Sequence, residues 1–154
     1  MKYKLKELNF ENVNFNLGNC TDYGKVFNIN EIIEFQTPKV IFEKVFKEND
    51  KEYLILRLLP TEASKIFYSK INEFEEMLKK FGKVNSIFNG DTFKVKIPFR
   101  NGNPLVKVYN DYNLLNYYSL KSKVTLIILL NISKIWTNSE TVSYNLNVSE
   151  IKTI

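Results

Sequence analysis

The chain has 154 residues, one cysteine and no histidine, and its 22 lysines and arginines outnumber 17 acidic residues to give a net charge of +5. That length suits a single domain, 1–154, able to bury roughly 68–70% of its unfolded surface without a metal or disulfide. The missing histidine excludes a Ser-His or Cys-His nucleophile, a His-ligated zinc and an imidazole base, and the lone Cys20 excludes an internal bridge.

Residues 8–17, LNFENVNFNL, alternate apolar and polar side chains and read as a strand, with INEIIEF at 29–35 a weaker second one. KVIFEKVF at 39–46 and EYLILRLL at 52–59 flank a polar turn containing Asn49 and Asp50, and the three pieces read as a β-hairpin. TEASKIFYSKINEFEEMLKKFG opens on Thr61 as a candidate N-cap and closes on Lys79, Lys80 and Gly82. Ala63, Ile66, Phe67, Ile71, Phe74, Leu78 and Phe81 recur at helical spacing, so 61–81 is expected to lay one apolar stripe on a sheet, with Glu75 and Glu76 facing solvent.

Strand patterning resumes at 84–88, turns at 89–91, and continues through TFKVKIPF at 92–99. Breaks at 101–104 and 110–113 bracket a short strand at 105–109. The last pair, 123–136 and 141–151, is joined by a turn at 137–140, and Val142, Tyr144, Leu146 and Val148 alternate there with Ser143, Asn145, Asn147 and Ser149. The expected fold is mainly β with one principal helix, an OB-like small antiparallel barrel.

Glycines 18, 24, 82, 90 and 102 stand singly, so no phosphate-binding loop is present. With neither catalytic nor metal-ligating constellations in view, the expectation is a binding module without enzyme activity, cofactor or metal. The longest apolar run, 124–130, is too short to span a membrane, which points to neither export nor membrane insertion and to a reduced cytosolic or nuclear setting.

A mildly basic chain favours polyanions, although the leaning toward Lys, Asn, Ile, Tyr and Phe is also what A- and T-rich codons produce. Cations and aromatics interleave most densely between residues 94 and 123. Phe93, Val95, Ile97 and Phe99 are expected in the core, leaving Lys94, Lys96 and Arg100 for phosphates. Lys107 shares a strand face with Tyr109, Lys121 and Lys123 precede the long apolar strand, and Tyr112, Tyr117 and Tyr118 fall in the loop before it. Binding a single strand without reading its sequence needs such cations together with flat rings for the bases. The plain alternative for Lys94 and Lys96 is a solvated strand face. Trp136, closing an apolar strand, reads as a core anchor rather than a stacking platform.

FQTPKVIF at 35–42, the hairpin, the Phe-rich helix and the closing pair KVTLIILLNISKIW and VSYNLNVSEI together resemble the OB-fold single-stranded DNA-binding proteins of large DNA viruses, which are similar to the single-stranded DNA-binding protein of bacteriophage T7. The resemblance spans 36–151 and rests on pattern and order. It implies a five-stranded barrel that binds single-stranded DNA without sequence preference or catalysis during viral DNA replication, recombination or repair, in the host cytoplasm or nucleus, as a monomer or homodimer with replication proteins as partners. The ending SEIKTI departs from the acidic tail and terminal aromatic of phage-type members, so tail-mediated recruitment is in doubt. Two other readings stand beside it: a viral structural or assembly barrel that binds no nucleic acid, and an RNA-binding module.

Overall fold

In the computed structural model, which describes residues 2–3, 7–10, 13–110 and 113–154, the chain is mainly β-sheet with one principal helix. The strands are β1 (Lys2–Tyr3), β2 (Phe15–Thr21), β3 (Gly24–Gln36), β4 (Val40–Glu48) and β5 (Lys51–Leu58), followed by helix α1 (Glu62–Leu78). Then come β6 (Lys83–Val84), β7 (Phe88–Asn89), β8 (Thr92–Ile97), β9 (Phe99–Arg100), β10 (Asn103–Pro104), β11 (Lys107–Asn110), β12 (Asn113–Leu115), β13 (Thr125–Thr137), β14 (Thr141–Tyr144) and β15 (Asn147–Thr153).

The expected hairpin forms between β4 and β5. Its central residues, Asn49 and Asp50, have φ of 51° and 64°, the doubly left-handed turn whose twist matches the strands it joins. β5 also pairs antiparallel with β8. The 13-residue β13 is the hub: it pairs with β15 and β14, and also with β4 and β3. Thr37 carries the chain between β3 and β4 by exchanging two hydrogen bonds with Ile128, donating its N–H to the Ile128 carbonyl (2.8 Å) and accepting the Ile128 N–H on Oγ1 (3.0 Å). The QTPK segment thus has a structural task. A parallel contact between β8 and β15, at Asn147 opposite Lys96, completes a circuit of pairings from β13 through β4, β5, β8 and β15 back to β13.

Period-two alternation fills the inside of that circuit with Val40, Leu54, Leu56, Phe93, Val95 and Ile97 and with Leu126, Ile128, Leu130 and Ile132 from the hub, all buried. Helix α1 starts where Thr61 accepts the Ser64 N–H on its hydroxyl, and it buries Phe67, Ile71, Phe74 and Leu78 in the same core. Phe67 lies 5.2 Å from Phe93, and Phe74 lies 5.2 Å from Tyr144. Full burial of each such ring contributes about 1.5–3 kcal/mol.

Five expectations are corrected. The described part of 8–17 is irregular up to Phe15, because Leu8 and Phe10 are buried in the core, Phe10 at 5.0 Å from Phe74, rather than paired in a sheet. Ala63 is exposed, and α1 gives way to a tight 3₁₀ turn at Lys79–Phe81. Glu75 is half-buried, accepting hydrogen bonds from Tyr144 Oη (2.5 Å) and Ser86 Oγ (2.9 Å). Phe99 leaves the core at 39% exposure, because β8 ends at Ile97 and a separate small hairpin of β9 and β10 begins.

Candidate nucleic-acid interface

In an antiparallel pair, residues opposite each other point to the same side. Tyr53 stands opposite Lys96 and Ile55 opposite Lys94, so Lys51 and Tyr53 of β5 share the outer face of β8 with both lysines. Asn147 of β15 joins them opposite Lys96. On β13, Lys134 and Trp136 are two residues apart and so share a face, with Trp136 between Val26 of β3 and Ser143 of β14.

Two adjoining cavities lie along this surface, of about 360 Å³ and 410 Å³, and both are lined by Lys51, Trp136 and Asn145. The first adds Lys25, Lys96 and Lys134 together with Asn19, Asn138 and Asn147, and among the described residues no carboxylate lines it. The second adds Lys94 and Tyr53 and is also lined by Glu48. Lys94 Nζ sits 4.7 Å from the centre of the Tyr53 ring. The Tyr53 phenol is pushed up by burial and by the charge of Glu48.

Burial, followed by the charges of Lys51 and Lys134, holds the Lys96 ammonium below the ordinary lysine range. Among the described residues no carboxylate lies within ion-pair distance of Lys25, Lys51, Lys94, Lys96 or Lys134. Ammonium groups crowded without nearby carboxylates repel one another and give this surface a positive potential.

Only Lys94 and Lys96 of the residues singled out from sequence line this groove. Arg100 is exposed on β9 and lines neither cavity. Lys107 and Tyr109 are on β11, opposite Glu150 and Lys152 of β15, and Lys121 is exposed before β13. Tyr112 lies outside the described residues. Tyr117 is 2% exposed and cannot stack on a base; it and Tyr118 both donate their hydroxyls to Glu52, which also meets Lys47 at 3.4 Å. The two tyrosine rings pack on each other at 4.3 Å with Lys47 Nζ over Tyr118. Lys123 pairs with Glu43, as does Arg57 at 2.8 Å.

Trp136 is half-buried on the groove rather than a core anchor. Sequence reasoning misses it, with Lys51, Tyr53 and Lys134, because these four lie as two short pairs on β5 and β13 and only strand register brings the pairs together with Lys94 and Lys96. The asparagines alternating along the last strand were the one local signal of a polar wall. No protein-family model matches the chain, and no curated protein matches it in sequence. Among the described residues no helix is long and apolar enough to cross a membrane, and no three acidic or cysteine side chains cluster to hold a metal ion.

Proposed function

We propose that the protein binds single-stranded DNA without sequence preference, along the groove over β5, β8, β13 and β15. The observation that carries this reading is the set of lysines 25, 51, 96 and 134 converging on one cavity that, among the described residues, no carboxylate lines. Cations held without counter-charges follow a phosphate backbone and release its condensed ions.

The circuit of pairings supports an OB-type barrel, since a sheet that returns on itself has no open edge along the ring. OB barrels bind oligonucleotides over their second and third strands and over the loops joining strands one to two and four to five. Counted along the chain, β5 and β8 are the second and third strands of the circuit. The Asn49–Asp50 turn and the segment between β13 and β15 are those two loops. Lys51, Tyr53, Lys94, Lys96 and Asn145 lie in just these parts. A role in viral DNA replication, recombination or repair, without catalysis, goes with the same proposal.

Fluorescence anisotropy with labelled oligo-dT at two salt concentrations tests it. The expected result is saturable binding that weakens steeply with salt; absence of binding at low salt would overturn the reading.

A further inference from the structure

Aromatic rings in this protein are mostly spent on one another. Phe10 packs on Phe74, Phe27 on Phe81 and Phe67 on Phe93. Among the described residues, Tyr23 and Trp136 pack on no other ring, yet both line the lysine-rich cavity. Tyr23 is 90% exposed, which no packing requirement explains.

Its backbone is nevertheless anchored. Tyr23 occupies the two-residue connection between β2 and β3, where its N–H donates to Thr21 Oγ1 (3.2 Å) and the Thr21 hydroxyl donates to the Gly24 carbonyl (3.3 Å). Gly24 then meets the carbonyl of Thr137, the residue after Trp136, so closely that a Cβ there would lie 2.0 Å from the oxygen. β3 pairs with β13 directly beyond, Lys25 opposite Thr137 and Val26 opposite Trp136. The hairpin tip is therefore pinned beside Trp136, with Lys25 and Lys134 lining the cavity with them.

We propose that Tyr23 and Trp136 form a slot that takes a nucleobase of the bound strand while Lys25 and Lys134 hold the adjoining phosphates. The slot rests on the single-strand reading above and deepens it. It adds a base-binding element contributed by the β2–β3 hairpin, which lies outside the five-strand circuit. Stacking is sequence-tolerant because every base has a flat face, so the slot keeps the groove non-specific.

Trp136 is the only tryptophan, so its emission reports the slot directly. The full chain is titrated with oligo-dT of about 15 nucleotides and with an equally long strand carrying tetrahydrofuran abasic residues in place of thymidines. We expect dT to quench Trp136 and the abasic strand to bind more weakly without quenching. Tyr23→Ala, at an exposed tip, should fold normally and lose roughly fivefold to a hundredfold in affinity for dT, with no change toward the abasic strand. Tyr23→Phe should retain the dT affinity, since the ring acts rather than the hydroxyl. Equal binding of both strands by the wild-type protein, or unchanged dT affinity in Tyr23→Ala, would overturn the slot while leaving the phosphate groove standing. Binding of neither strand would overturn the groove and the slot together.

Discussion

Two regions of this molecule carry cations and tyrosines in similar density, and they end in opposite electrostatic states. In the segment from Asn116 to Lys123, Glu52 accepts both tyrosine hydroxyls and meets Lys47, while Glu43 takes Lys123 and Arg57. Along the groove, strand register gathers lysines and asparagines, and among the described residues no acid joins the lysines of the larger cluster. A run of lysines and tyrosines in sequence is thus no measure of binding surface. What decides is whether the fold delivers a carboxylate to the same place.

The largest expected effect separates the two regions by binding. In Lys51→Ala/Lys96→Ala/Lys134→Ala, each lost phosphate contact removes about 0.7 from the slope of log K against log salt, so the slope should flatten by about 2. Between 1 M and 0.1 M salt that is a roughly hundredfold loss of affinity for oligo-dT. The matched variant Lys107→Ala/Lys121→Ala/Lys123→Ala, which joins the two lysines of the segment from Asn116 to Lys123 to Lys107 of β11, should keep the wild-type slope. If anisotropy titrations show the reverse, the comparison is drawn the wrong way round.

Next comes Glu52→Ala, which removes the acceptor of the buried Tyr117 hydroxyl. It should cost about 1–3 kcal/mol in urea unfolding while leaving dT affinity unchanged. Burial pushes the Glu52 carboxyl up, but hydrogen bonds from Tyr117, Tyr118 and Lys47 outweigh it and hold it below the ordinary value of 4.5. A carboxyl lowered by folding stabilises above its unfolded pKa and loses that contribution as pH falls through the folded one. Glu52→Gln should therefore flatten the fall in stability below about pH 4.5.

Lys96 has the opposite sense. Burial, with Lys51 and Lys134, lowers it below 10.5, so the unfolded chain holds its proton longer and wild-type stability rises with pH just below that value. Lys96→Met should be more stable than wild type at neutral pH, with the advantage shrinking as pH approaches 10.5, and it should bind dT less tightly. Thermal unfolding at neutral and alkaline pH checks this; a constant difference between the two would count against a strained ammonium. The smallest effect belongs to Lys94→Ala, which removes a cation over the Tyr53 ring and should shift the urea midpoint by the equivalent of about 0.5–1 kcal/mol.

The parts of the fold that were legible are those written locally. Asn49 and Asp50 between two alternating runs announce the hairpin, and the stripe through Phe67, Ile71, Phe74 and Leu78 behind Thr61 announces the helix. The 8–17 segment misled because Leu8 and Phe10 have the right alternation for a strand but bury themselves in the core that the helix also enters. Within the site, Lys94 and Lys96 were readable because one strand carries both at period two. Lys51, Lys134 and Trp136 were not, because their proximity depends on pairings between strands many residues apart, and nothing local specifies those pairings.

The meeting of β8 and β15 has a consequence for motion. Every other junction of the circuit is a ladder of two or more opposed residues, but this one has a single opposed pair, Asn147 with Lys96, and the Lys96 N–H donating to the Leu146 carbonyl at 2.8 Å. Local openings begin where few backbone bonds must break together, so this seam is the natural place for the ring to breathe. It also lies under the crowded lysine, so a bound phosphate would grip both the charge and the gap beneath it. Amide exchange at Lys96 should accordingly be fast in the free protein, and the proposed binding of oligo-dT should slow it by closing the seam.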